Sequence, residues 1–73
     1  ELRNEESADL FHTLEVYLDL GGSGVAAAEA LHIHRSTLNY RLGRITERTG
    51  TDLGDPQQRV NLHTSLKLLR LFE

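Results

Sequence analysis

A seven-residue segment made mostly of alanine, Val25 to Leu31, leaves this chain few ways to fold. Gly21-Gly22-Ser23-Gly24 encloses it on one side and His32-Ile33-His34 on the other. Alanine has the best helix propensity, yet a helix this short is marginal without a neighbour. The small side chains of Ala26, Ala27, Ala28 and Ala30 allow that neighbour to approach closely. Ser23 is placed to cap the segment, and Ile33 is the single apolar residue of the turn after it. From Arg35 a new helical period begins, with Leu38, Leu42 and Ile45 on one face. A short small-residue helix, a tight turn with one buried aliphatic and a helix facing back is the layout of a helix-turn-helix.

The flanking segments supply two more helices. Leu10, Phe11, Leu14, Tyr17 and Leu18 recur at spacings of three and four, which predicts a helix from about residue 8 to 20. Ser7 is its expected N-cap, and the glycines after Leu20 end it. Glu1 to Glu6 carry little apolar content and read as a linker stub or frayed start, which leaves residues 7–73 as the domain. Gly50, between Thr49 and Thr51, ends the third helix, so that it spans about 35–49. Leu53 is expected to tuck inward in the connection that follows. Asp55-Pro56 pairs a capping aspartate with a proline at the first helical position, starting a last helix of about 56–72. Val60, Leu62, Leu66, Leu69 and Phe72 form its stripe, widened by Leu68 and Leu71. No strand-like alternation occurs, so the expected fold is all-α, with four helices of about 8–20, 24–31, 35–49 and 56–72.

Seventy-three residues make one small domain. Cysteine is absent, which excludes disulfides and thiolate metal sites and fits a cytoplasmic protein. No apolar run reaches the roughly 18–20 residues of a membrane span. Methionine is also absent, position 1 included, and the simplest expectation is a fragment of a longer polypeptide. The net charge of −3 at first argues against a nucleic-acid partner, but the charge is unevenly spread. Residues 1–20 set six acidic groups against Arg3, whereas residues 34–48 set Arg35, Arg41, Arg44 and Arg48 against Glu47. Screening confines electrostatic attraction to about 8–10 Å at ordinary ionic strength, so the local balance outweighs the total.

Stepping about 100° per residue from an inward Leu38 keeps Leu42 and Ile45 within about 40° of it. Ser36, Tyr40, Gly43 and Glu47 then point outward, Thr37, Asn39 and Arg44 occupy the shoulders, and Arg35, Arg41 and Arg48 lie at the border. Small hydrogen-bonding groups near the start of a helix suit base edges, and marginal arginines suit phosphates. On the arginines alone, a solvated helix face is the favoured reading. Tyr40 fits either contact with sugars and bases or packing on a neighbouring helix.

The run Ala30-Leu31-His32-Ile33-His34-Arg35-Ser36-Thr37-Leu38-Asn39-Tyr40-Arg41-Leu42, followed by Arg44-Ile45, resembles the C-terminal signature of the PucR type of bacterial regulators. This type includes purine-catabolism and sugar-diacid regulators. The resemblance extends through Tyr17-Leu18-Asp19-Leu20-Gly21-Gly22 upstream and through Thr49 to Leu53 and Asp55-Pro56 downstream, covering about residues 10–71. The helix-turn-helix also resembles the factor-for-inversion-stimulation type. Resemblance to the PucR type implies a transcription-regulator output domain that binds double-stranded DNA as a homodimer, through the parent protein or the last helix. It implies a recognition helix from Arg35 to Arg48, with Arg35, Ser36, Thr37, Asn39, Tyr40, Arg41, Arg44 and Arg48 at the DNA. His34 looks in that motif like a helix-capping or backbone-contacting residue. Ser36 stands where asparagine is common in the family, Asn39 where arginine is common, and Gly43 replaces a frequently basic position. These departures bear on affinity and target sequence rather than on fold.

Other signals are weaker. His12, His32, His34 and His63 lack the spacing and carboxylate or thiolate partners of a zinc site, so no metal or cofactor is expected. The Gly21–Gly24 run has no lysine after it and no strand before it, unlike a phosphate loop. No nucleophile is set against a base, so neither catalysis nor a small-molecule ligand is expected. The leucine-rich last helix reads first as core, with Leu68, Leu71 and Phe72 contributing in part to a two-fold contact. That surface, with the net acidity, supports a rival reading as a helical dimerisation or protein-interaction module.

Overall fold

The computed structural model describes residues 2–71, which form four helices: α1 (Leu2–Asp19), α2 (Gly24–Leu31), α3 (Arg35–Thr49) and α4 (Pro56–Arg70). No strand occurs among the described residues. Among the described residues α1, α2 and α3 each pack against the other two, whereas α4 packs on α1 alone. Leu10, Leu14, Tyr17 and Leu18 of α1, Ala27 and Ala28 of α2, Leu38 and Ile45 of α3, Leu53 and Leu66 make the core. Ala27 is fully covered, as a close crossing of helices on an alanine-rich segment requires.

Three of the four helix starts follow short-range chemistry. The Ser23 hydroxyl accepts from Ala26 N at 3.2 Å, His34 Nδ1 accepts from Ser36 N at 3.1 Å, and Asp55 Oδ1 accepts from Gln57 N at 3.0 Å. Each bond satisfies an amide that the first turn of a helix would leave unpaired. α1 begins differently from the expectation. It runs back to Leu2, so Ser7 lies within the helix and is not its N-cap, and residues 2–6 continue the helix. The apolar period starts only at Leu10, but the preceding residues include good helix formers, and glutamates are favoured near a helix N-terminus.

The two turns around α2 are closed by the same backbone motif. Gly22 N donates to Tyr17 O at 2.9 Å and Gly21 N to Leu18 O at 3.1 Å. Ile33 N donates to Ala28 O at 3.0 Å and His32 N to Glu29 O at 3.2 Å. This pairing needs a left-handed residue just past the helix. Gly21 supplies it after α1 at φ 73°, but after α2 the position is filled by His32 at φ 57°. Leu31 and Ile33 pack against the core on either side of that turn.

α4 departs most from the sequence reading. Leu66 is buried and Leu62 half-buried, but Val60, Leu68, Leu69 and Leu71 are exposed, Leu71 to 75%. The stripe is wider than the single helix beneath it, so the core claims only its centre. Phe72 lies outside the described residues. Polar links moor the rest: Arg59 Nη1 donates to Leu53 O at 2.9 Å, His63 Nε2 and Lys67 Nζ reach Asp19 Oδ1 at 2.7 and 3.3 Å, and Arg70 pairs with Glu15. The His63 hydrogen bond, with the nearby Lys67 ammonium, holds the Asp19 carboxyl below its ordinary value against a smaller opposing effect of desolvation.

Candidate nucleic-acid interface

Leu38 is the pivot of the site. It has no exposed surface, and it seats the first turn of α3 against α1 and α2. With Ile45 buried one side of α3 is fixed, and Leu42 packs half-buried beside it. The opposite side is open: Ser36, Thr37, Asn39, Tyr40, Gly43, Thr46 and Glu47 are all exposed. Tyr40 is 64% exposed, which decides between its two readings against packing on a neighbouring helix. Nothing lies within 4 Å of where a Cβ on Gly43 would project, so that stretch of helix backbone is open to a close-fitting surface.

The start of α3 is organised by His34. Its Nδ1 lies 3.0 Å from the Ser36 hydroxyl as well as capping the Ser36 amide. One imidazole therefore fixes the helix start and restrains the side chain of the first outward residue. Arg35 is exposed, and its Nη2 lies 3.1 Å from where a Cβ on Gly24 would sit. A Cβ at position 24 would need the exposed Arg35 guanidinium to give by only a few tenths of an ångström.

The other three arginines are not distributed over the open face. Arg41, Arg44 and Arg48 line the flank of α3 that meets α1. Arg41 is half-buried, and its Nη1 donates to Thr13 Oγ1 at 3.1 Å. Thr13 is itself fully buried and donates to Asp9 O at 2.8 Å, so this link is a structural bond between the two helices. Arg44, expected on an open shoulder, is half-buried, with Nη1 3.3 Å from Glu47 and Nη2 3.7 Å from Glu6. Its Nε is buried with no hydrogen-bond partner. Arg48 reaches the other oxygen of Glu6 at 2.6 Å. Glu6 carries no signal in the sequence, because its role depends on how α1 crosses α3 and because the segment carrying it has no apolar period.

A short α2 crossing α3 on alanine, a left-handed turn between them and an outward polar face anchored by Leu38 make up a helix-turn-helix unit. The sequence profile of the PucR C-terminal helix-turn-helix domain matches residues 10–68. The chain belongs to that family. It is 46% identical over 66 residues to the proline-responsive transcriptional activator PutR of Bacillus subtilis, covering 90% of this chain and 16% of that protein. It is 44% identical over 59 residues to the carbohydrate diacid regulator of Escherichia coli, covering 81% of this chain and 15% of that protein. With the purine catabolism regulatory protein of B. subtilis the identity is 36% over 70 residues, or 96% and 13% of the two chains. The chain thus spans about one-sixth or less of the length of these relatives. No solved structure matches it. In this PucR-type domain the departures noted above, Ser36, Asn39 and Gly43, all fall on the exposed face of α3. Among the described residues no cluster of histidine and acidic side chains could hold a metal ion, and no helix is long and apolar enough to cross a membrane.

Proposed function

We propose that this domain is the DNA-binding output unit of a cytoplasmic bacterial transcription regulator, reading duplex DNA with α3 in the major groove. The observation that carries the reading is the open polar face of α3, Ser36, Thr37, Asn39, Tyr40 and Gly43, opposite a leucine locked into the core. Hydroxyl and amide groups near the start of a recognition helix meet base edges, where they offer both donors and acceptors. Arg35 serves the phosphate backbone at that end of the helix. Arg41, Arg44 and Arg48 serve the strand passing along the α1 flank, Arg41 from the most covered position. The family of regulators to which the chain belongs supports the same reading.

A homodimer fits this function, because two recognition helices one DNA turn apart, about 34 Å, read a two-fold related site. Leu68, Leu69 and Leu71 are exposed at the end of α4 and are the residues of this chain best suited to contribute to such a contact. The test of DNA reading is a gel-shift titration with genomic fragments at two salt concentrations, with light scattering for size. Binding should weaken steeply with salt, log K falling with a slope of about −0.9 per phosphate neutralised. Arg35→Ala and Arg44→Ala should each weaken binding and keep the helical content. Salt-insensitive, feeble binding, or full affinity in both variants, would favour the rival reading of a protein-interaction module.

A further inference from the structure

We infer that Glu6 is an intramolecular competitor for DNA phosphate, so that the first turns of α1 set how strongly the α3 flank holds DNA. The inference rests on the DNA-binding reading above and adds a residue outside the helix-turn-helix. One carboxylate spans two arginines a helical turn apart: Glu6 Oε1 lies 2.6 Å from Arg48 Nη2, and Glu6 Oε2 lies 3.7 Å from Arg44 Nη2. Arg44 Nη1 faces a second carboxylate, Glu47. The buried Nε of Arg44 is out of reach, so both outward ends of its guanidinium point at negative charge. Among the described residues, two carboxylates of the same chain thus lie against two arginines that would meet phosphate.

The competition is a weak one by construction. The Glu6, Arg44 and Arg48 side chains are between about a third and two-fifths exposed, and ion pairs with that much solvent are readily exchanged. Phosphate displaces Glu6 rather than being shut out. The displaced carboxylate then remains close to the DNA backbone and opposes it. A cation already matched by a carboxylate also contributes less to counterion release, so the pairing flattens the salt dependence as well as lowering affinity.

The test compares the chain with Glu6→Gln and Glu15→Gln, using fluorescence anisotropy on a short duplex of mixed sequence at several salt concentrations. Both substitutions remove one negative charge, but Glu15 pairs with Arg70 of α4, away from the α3 arginines. Glu6→Gln should tighten binding about three- to tenfold at low salt and steepen the log K slope by about 1 to 2. Glu15→Gln should move both quantities much less, and circular dichroism should show unchanged helicity for each. Equal gains in the two variants would reduce Glu6 to a share of the net charge and overturn the inference. Weaker binding of Glu6→Gln with helicity intact would also overturn it, by showing that Glu6 orients the arginines for DNA. Failure of all three proteins to bind duplex at low salt would remove the DNA-binding reading, and the inference with it.

Discussion

Replacing Leu38 by alanine tests the packing on which the orientation of α3 depends. Leu38 is fully buried, so its three outer carbons leave a completely enclosed position. At about 0.8 kcal/mol for each buried carbon, the lost transfer energy is roughly 2.4 kcal/mol. Partial collapse of the surrounding side chains leaves a cavity of about 40 Å³, which adds roughly 1 kcal/mol at ~24 cal/mol per Å³. The expected loss is therefore about 3–4 kcal/mol, a large share of the roughly 4–11 kcal/mol that a domain of this size possesses. For domains of 60–100 residues, each kcal/mol lowers the midpoint by about 4–8 °C, so thermal melting followed by circular dichroism should show a fall of about 12–32 °C. Urea unfolding should show a lower midpoint with an unchanged slope, as expected when the native state alone is weakened. Val60→Ala, at an exposed site on α4, is the control and should change stability by less than about 0.5 kcal/mol. A fall of less than about 5 °C in the Leu38 variant, or equal falls in the two proteins, would refute the view that this leucine clamps α3 to α1 and α2.

Three further outcomes follow from local features. His32 occupies a left-handed position that costs a residue with a Cβ, so His32→Gly should raise stability by about 0.5–1 kcal/mol, read as a higher melting midpoint. Asp55→Ala removes the acceptor for Gln57 N and for Gln58 Nε2, and should cost about 1 kcal/mol in chemical denaturation. The Asp19 carboxyl titrates below its ordinary value of 3.8 because the folded protein stabilises the charged form, so its contribution to stability is present above that value. As pH falls through the lowered value the contribution is lost, and the difference in midpoint between the protein and Asp19→Asn should narrow to nothing across that window.

Features set by neighbouring residues were legible in the sequence. Ser23 and Asp55 cap the helices that they precede, the glycines after Leu20 close α1, and Leu53 is buried in its loop. The outward face of α3 was legible for the same reason, since Leu38 and the 100° step determine where Ser36, Tyr40 and Gly43 point. Features that depend on crossing geometry were not. The start of α1 was placed six residues late, because amphipathic periodicity marks only the part of a helix that covers a core. The α4 leucines were assigned to a core that reaches only Leu62 and Leu66, because hydrophobic spacing does not reveal how many helices lie beneath a stripe. Arg41, Arg44 and Arg48 were placed at the border or shoulder of the outer face, but which groups they meet depends on where Thr13 and Glu6 of α1 come to rest.

The attachment of α4 to α1 alone has an evolutionary reading. α1, α2 and α3 form a closed triangle in which every side is a helix contact, so the pose of α3 is determined without the last helix. Substitutions along the outer surface of α4 leave that triangle intact. On the proposed reading, with assembly at the outer surface of α4 and DNA at the open face of α3, a change in either surface leaves the other in place.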